Sequence, residues 1–334
     1  MGPWNPRWPE RRRFAAGADV SAGGVTLVIV SRGARAGAPV RIEWIAHAPL
    51  PREAVLGGEV VDRLALTDAL REVFLAVPRR CHAAALRCAM ALPAGATVVA
   101  SLPLARFPDL AACVQGDARM LASLEPMVLE EAERITGIER HELAVDWRLD
   151  PEPLQPDDGL AVHACRLTIT SASRQHLEAR IECAAMAGIG LCAIDGEASA
   201  ALRAMRHAAA LELSPDDAYV ALWVGPDGVH GWFIAGDEVV REMHYPAQEH
   251  ADLVDALRAL PGGDSPDCGL IAGRLAMLAN ARVSIADLGR VLGCPMLPFE
   301  CATFAHAEPA LDAELLREPA CAVAFGLALR GVGE

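Results

Sequence analysis

The chain has 334 residues, 53% of them hydrophobic and 22% charged, with a formal net charge of −14. That length and apolar content suit a globular protein with two sizeable cores and exclude an extensively disordered chain. The acidic balance excludes a general nucleic-acid binder, which needs a basic face to neutralise phosphates, and weighs against adhesion to an anionic membrane.

Residues 1–13 are rich in Pro and Arg with no apolar leader behind them, and read as a flexible tail rather than a secretory signal. Phe14 to Val30 reads as two β-rich runs joined by the small-residue turn Ser21-Ala22-Gly23-Gly24, which predicts a hairpin. Val40–Ala46 alternates as a third strand, Leu64–Leu75 carries helical spacing, and Ala84–Leu92 is a buried strand. Thr97–Leu104 predicts a strand, Leu110–Ile135 a helix interrupted near Pro126, and Ala144–Leu149 a strand. A Pro-rich loop, Pro151–Gly159, leads to a return strand over Leu160–Thr170. A helix over Ser173–Ala187 with Ser173 as its cap, a short strand ending at Asp195, and a helix over Glu197–Leu211 follow.

Ala218 to Ala235 repeats the opening pattern: an apolar strand, the turn Gly225-Pro226-Asp227-Gly228, and a second apolar strand. Glu238–Met243 reads as a strand, Glu249–Leu260 as a helix, Cys268–Ala272 as a strand, Arg274 onward as helical, and Pro319–Leu329 as an apolar terminal helix. Two similar hairpins in two halves of one chain predict a duplicated α/β architecture. The exposed amides of such turns can cradle phosphate, with Asp19 beside them for a metal. Taken alone, the stretch is better read as a well-made hairpin with Asp19 as its capping residue.

Other constellations carry little chemistry. The chain has no lysine, so a Walker-type loop is ruled out, and no apolar run approaches the roughly 20 residues that span a bilayer. The ten cysteines show no CxxC and no paired Cys/His spacing, which predicts buried thiols in a cytoplasmic protein rather than zinc. His141, His163 and His176 form no metal set. Glu130, Glu131 and Glu133 read as a solvated helical face. Gly263–Asp267 lacks the last glycine of a nucleophile elbow. Arg11-Arg12-Arg13 is too short to hold a membrane.

The order and wording of several segments resemble the PilM family of type IV pilus assembly proteins, relatives of the actin-like protein FtsA. They are the first hairpin, Ala48-Pro-Leu-Pro51 with Gly58–Asp62, Glu130–Ile135 with Asp146, Ala187–Asp195 with Ala201-Leu-Arg203, and Val323–Arg330. The resemblance implies an actin-like (ribonuclease H-like) duplicated fold with an inserted α+β subdomain. Residues 14–93 and 165–212 would form the first half, 94–164 the insertion and 213–334 the second half. It also implies a cytoplasmic protein, held peripherally at the inner membrane by partners: the cytoplasmic N-terminal segment of a PilN-like bitopic protein, and other pilus assembly components.

The resemblance further implies ATP with magnesium between the two hairpins, but the matching positions are altered. Ser21 and Thr26 stand where a glycine and a lysine are usual, Trp223-Val224-Gly225 where Asp-X-Gly is usual, and Ala272-Gly273-Arg274 where a Gly-Gly pair is usual. A charge-assisted hydrogen bond contributes about 1.5–3 kcal/mol, so several losses weaken binding by orders of magnitude. The expectation is a degenerate cleft, lined by Asp19, Ser21, Ala22, Gly23, Gly225 and Gly273, and a non-catalytic scaffold. Asp195 resembles an aspartate that holds metal or water in active relatives; its other reading is a helix cap. The rival reading is an ATP-hydrolysing member of the same fold, in a pilus, secretion or DNA-uptake system. A third is the cytoplasmic domain of a GspL-type secretion protein.

Overall fold

A computed structural model describes residues 12–35, 37–82, 86–107, 118–151, 165–236, 238–246, 252–305 and 311–333. The chain divides into two compact units, residues 1–94 with 180–334, and residues 95–179. Most of the expected tail, the loop after Pro151 and His163 lie outside the described residues.

The larger unit opens with strands β1 (Arg12–Ser21), β2 (Gly24–Gly33) and β3 (Val40–Pro49). The short strands β4 (Val55–Leu56) and β5 (Glu59–Val60), helix α1 (Arg63–Leu75) and strand β6 (Arg87–Leu92) follow. The smaller unit holds β7 (Thr97–Pro103), α2 (Ala118–Thr136), β8 (Leu143–Pro151) and β9 (Cys165–Ser173). Helix α3 (Arg174–Met186) leads back to β10 (Leu191–Gly196) and α4 (Glu197–Glu212). The second half runs β11 (Tyr219–Gly225), β12 (Gly228–Ala235), β13 (Glu238–Pro246), α5 (Leu253–Ala259) and β14 (Cys268–Gly273). It ends with α6 (Ile285–Leu292), β15 (Met296–Pro298), α7 (Ala313–Arg317) and α8 (Ala322–Gly333).

The duplication is visible in the sheets. One has the order β10-β6-β1-β2-β3 and the other β13-β12-β11-β14-β15. In each, the first three strands form an antiparallel meander and two parallel strands extend it from the first strand. This is the duplicated actin-like arrangement. Strands β11 and β14 are buried along their whole length, as strands covered on both faces must be, and so read as unbroken apolar runs.

Helix α8 is apolar on nearly every side and sits in the interior, where an all-round apolar helix belongs. It packs closely enough to need glycines. A Cβ on Gly17 of β1 would lie 2.0 Å from the Ala324 carbonyl, and one on Gly326 would lie 1.8 Å from the Ala200 carbonyl of α4. The alanine-rich faces of α4 and α8 thus bring backbone against backbone, with Phe325, Phe299 and Phe304 closing the same core. A second core lies on the opposite face of the second sheet, around Val220, Leu222, Phe233 and Ile271.

The smaller unit is a three-stranded antiparallel sheet, β7-β9-β8, with a core of Leu124, Val128, Ala132, Leu167 and Ile169 that α2 helps to form. It extends further along the chain than residue 164 because its return strand, β9, is the centre of that sheet. Pro126 lies inside α2, which continues through it. Glu131 corrects the expectation of a solvated face. It is 9% exposed and bonded to Arg134 at 2.6 Å, and that hydrogen bond holds its carboxyl below the usual range.

Several boundaries differ from the sequence reading. The run after Arg274 is a 3₁₀ helix over Leu275–Ala281 and then the separate helix α6. A left-handed Arg282 (φ 55°) ends the first. The second starts with a capping box between Ser284 and Asp287, which satisfies two otherwise orphaned amides. Helix α5 is described over Leu253–Ala259; the expected start at Glu249 lies outside the described residues.

Candidate functional site

Equivalent turns close the two central hairpins. The first, between β1 and β2, satisfies itself. The Gly23 amide donates to Ser21 Oγ at 3.3 Å, and Ser21 Oγ donates to the Gly24 carbonyl at 3.3 Å. Ala22 and Gly23 are exposed. Gly24 has φ 151°, and a Cβ there would lie 2.4 Å from the Ala48 carbonyl, so only glycine fits. Thr26, where a lysine would reach a phosphate, shares a hydrogen bond with His47 Nδ1 at 3.1 Å.

The second turn is closed by an indole. Trp223 is 3% exposed, and a Cβ added to Gly225 would lie 2.3 Å from the Trp223 ring and 2.9 Å from Asp227 Oδ1. A bulky ring therefore stands in the place of the short carboxylate that an Asp-X-Gly turn would carry. Gly273 (φ 94°) would place a Cβ 2.3 Å from the Val224 carbonyl. The next amide, Arg274, donates to that carbonyl at 2.9 Å, so Gly225 and Gly273 are brought together at the end of β11 and β14.

Asp19 lies on β1 with its Oδ1 buried and without a hydrogen-bond partner among the described residues. Burial pushes its carboxyl up to about 6, against the pull of the Arg274 and Arg180 guanidiniums. Glu197, the first residue of α4, is 5% exposed and accepts from the Ala94 amide at 3.3 Å. Burial, with the negative charges of Asp19 and Asp227, pushes it up to about 8, so it is largely protonated at neutral pH. Arg180, from α3, is fully buried. It donates to the carbonyls of Ala91 at 2.9 Å and Gly58 at 3.0 Å, and burial lowers its pKa. Three acids, Asp19, Glu197 and Asp227, and two arginines, Arg180 and Arg274, thus form one electrostatic group, in which the acids are partly balanced from within.

The structure brings Asp19 together with Arg274, as the sequence implied, and adds Arg180, Glu197 and Asp227, which the sequence reading missed. In the sequence Glu197 is indistinguishable from any first-turn acid, and nothing marks Arg180 as buried within its helix. Asp195 does not join them. Its Oδ2 is paired with Arg203 at 2.7 Å and Arg330 at 3.2 Å, and its Oδ1 accepts from the Gly196 amide. The cap of α4 is Gly196, without a side-chain bond, so Asp195 ties α4 to α8 instead of capping a helix. Asp227 Oδ1 is also buried without a partner, while its Oδ2 faces His230 and His244.

The model of the family Type IV pilus assembly protein PilM matches residues 17–224. No curated protein sequence matches the chain. Among solved structures, the PilM–PilN type IV pilus biogenesis complex is similar at 21% identity and TM-score 0.67, covering 95% of this chain and 98% of that one. A Bacteroides thetaiotaomicron protein with an actin-like ATPase fold matches at 9% identity and TM-score 0.45, covering 85% of this chain and 90% of that one. The cytoplasmic domain of EpsL, an inner-membrane component of the Vibrio cholerae type II secretion system, matches at 11% identity and TM-score 0.46, covering 96% of each.

Proposed function

This chain belongs to the PilM family of type IV pilus assembly proteins, and from that membership we propose that it is a non-catalytic scaffold with a degenerate nucleotide cleft. On this reading it docks the cytoplasmic N-terminal segment of a PilN-like inner-membrane protein and works at the cytoplasmic side of that membrane. The partner is suggested by the similar PilM–PilN complex. Among the described residues, no helix is long and apolar enough to cross a membrane.

The observation that carries the proposal is the filling of the cleft by the chain's own groups. Trp223 occupies the place of the second carboxylate, Ser21 takes the Gly23 amide, and Arg274 and Arg180 act on Asp19 as counter-charges. Magnesium-ATP fits these residues poorly. A phosphate would have to displace a bond the first turn already makes, and a metal would meet an acid group already facing two cations. We place peptide docking at an edge of the three-stranded sheet of the smaller unit. Its strand β7 is a sheet edge that exposes Val98 and Val99, a surface suited to strand addition.

The rival reading, nucleotide binding as a switch, has one observation in its favour: the unpartnered buried oxygens of Asp19 and Asp227. A buried acceptor without a donor is costly, and a bound cation or donor would relieve it. Calorimetric titration of the full chain separates the two. The scaffold reading expects the N-terminal peptide of the PilN-like protein to bind without nucleotide, and binding to weaken on Val99→Glu. It expects no phosphate release from magnesium-ATP. Magnesium-dependent turnover that Asp19→Ala abolishes would overturn it, as would peptide binding that strictly requires ATP.

A further inference from the structure

We propose that Asp227, His230 and His244 form a binding site for a divalent transition ion of the zinc class, on the hairpin that closes the second half. The three side chains come from the turn after β11, from β12 and from β13. His230 and His244 are direct cross-strand partners, so their rings leave the sheet on the same face. The rings stack with centroids 4.1 Å apart and planes 18° apart. Both Nε2 atoms converge on one carboxylate oxygen: His230 lies 3.0 Å and His244 3.4 Å from Asp227 Oδ2. All three donor atoms lie within 4.8 Å of one another.

Those separations suit coordination. Bonds of about 2.0–2.1 Å in a tetrahedral set place neighbouring donors about 3.3 Å apart, close to the two distances found. Two imidazoles and a carboxylate select zinc, nickel, cobalt or copper over magnesium, which prefers oxygen alone. Three protein donors leave a fourth position for water or another ligand.

The surroundings fix the site on one side and open it on the other. His230 is held against Trp223 at 5.2 Å and near Trp232 at 6.1 Å between ring centroids. Asp227 is packed against Gly225, with its Oδ1 buried. The His244 side chain is 46% exposed, which gives an ion a path from solvent. A metal here would pin the edge strand β13 to the turn of the hairpin. The inference is independent of peptide docking, since it uses other residues and another unit of the chain.

Zinc titrated into the purified full chain, after chelator treatment, tests it. Calorimetry is expected to show a single equivalent bound. His244→Gln and Asp227→Asn should each weaken it at least about tenfold, since even outer-shell partners of a metal ligand commonly cost 10–100-fold. Magnesium should not compete. His244 is the partly exposed member, so its variant is expected to keep the fold, checked by an unchanged melting temperature without metal. Cobalt(II) then reports the donors: weak visible bands without a thiolate charge-transfer band support the site. A strong thiolate band, no zinc uptake, or uptake unchanged in both variants would overturn it.

Discussion

Glu197 offers the sharpest test of the cleft electrostatics. Its carboxyl is buried and pushed from an ordinary 4.5 to about 8, chiefly by burial and then by Asp19. A pKa difference of one unit corresponds to about 1.4 kcal/mol. Holding Glu197 ionised inside the fold therefore costs up to about 5 kcal/mol above pH 8, and nothing below pH 4.5. The sign follows from the raised pKa: the folded protein binds the extra proton, so this group's contribution is intact at low pH and lost as pH rises from about 4.5 to 8. Glu197→Gln removes the titration and keeps an oxygen for the Ala94 amide. The variant should match the wild type near pH 5 and exceed it by about 2–5 kcal/mol at pH 9. Chemical denaturation of both proteins across that range measures the difference, and the pH dependence of all distant groups cancels in the comparison. Parallel profiles would refute the reasoning, as would a variant less stable at every pH. Either would mean that Glu197 is an ionised partner of the arginines.

Two further predictions concern the joint between α4 and α8. Gly326→Ala places a methyl 1.8 Å from the Ala200 carbonyl, with only backbone to move, and should destabilise by about 3 kcal/mol or more, seen as a lower melting temperature. Asp195→Asn leaves Arg203 and Arg330 without their shared carboxylate. It should cost about 2 kcal/mol, read by urea denaturation, with the loss reduced in high salt because the arginines are partly exposed.

The fold was more legible in the sequence than the site. Both hairpins declare themselves through glycine turns between apolar runs, and α8 through an apolar stretch too short for a membrane. What stayed hidden had physical reasons. The capping box of Ser284 and Asp287 starts a helix of only eight residues, too short for a periodic signal. Arg282 ends the preceding 3₁₀ helix in a left-handed conformation that composition does not announce. In the cleft, Asp19 and Arg274 could be found by matching motifs. Glu197 and Arg180 could not, because the first turn of a helix welcomes any acid and an arginine gives no sign of being buried. His230 and His244 lie fourteen positions apart, and only the β12–β13 register makes them neighbours.

The two halves satisfy equivalent turns in different ways, and that difference bears on function. In the first half a serine hydroxyl takes a turn amide; in the second an indole covers the glycine and an aspartate reaches toward two histidines. On the scaffold reading the cleft supplies its own counter-charges, with Arg274 acting on both Asp19 and Glu197. A ligand that drew Arg274 away would remove counter-charge from both acids and raise both pKa values further. A ligand entering without a cation of its own would then take up protons near neutral pH, whereas peptide docking on the edge of β7 uses neither acid. On the scaffold reading, the heat of peptide binding is therefore independent of the ionisation enthalpy of the buffer.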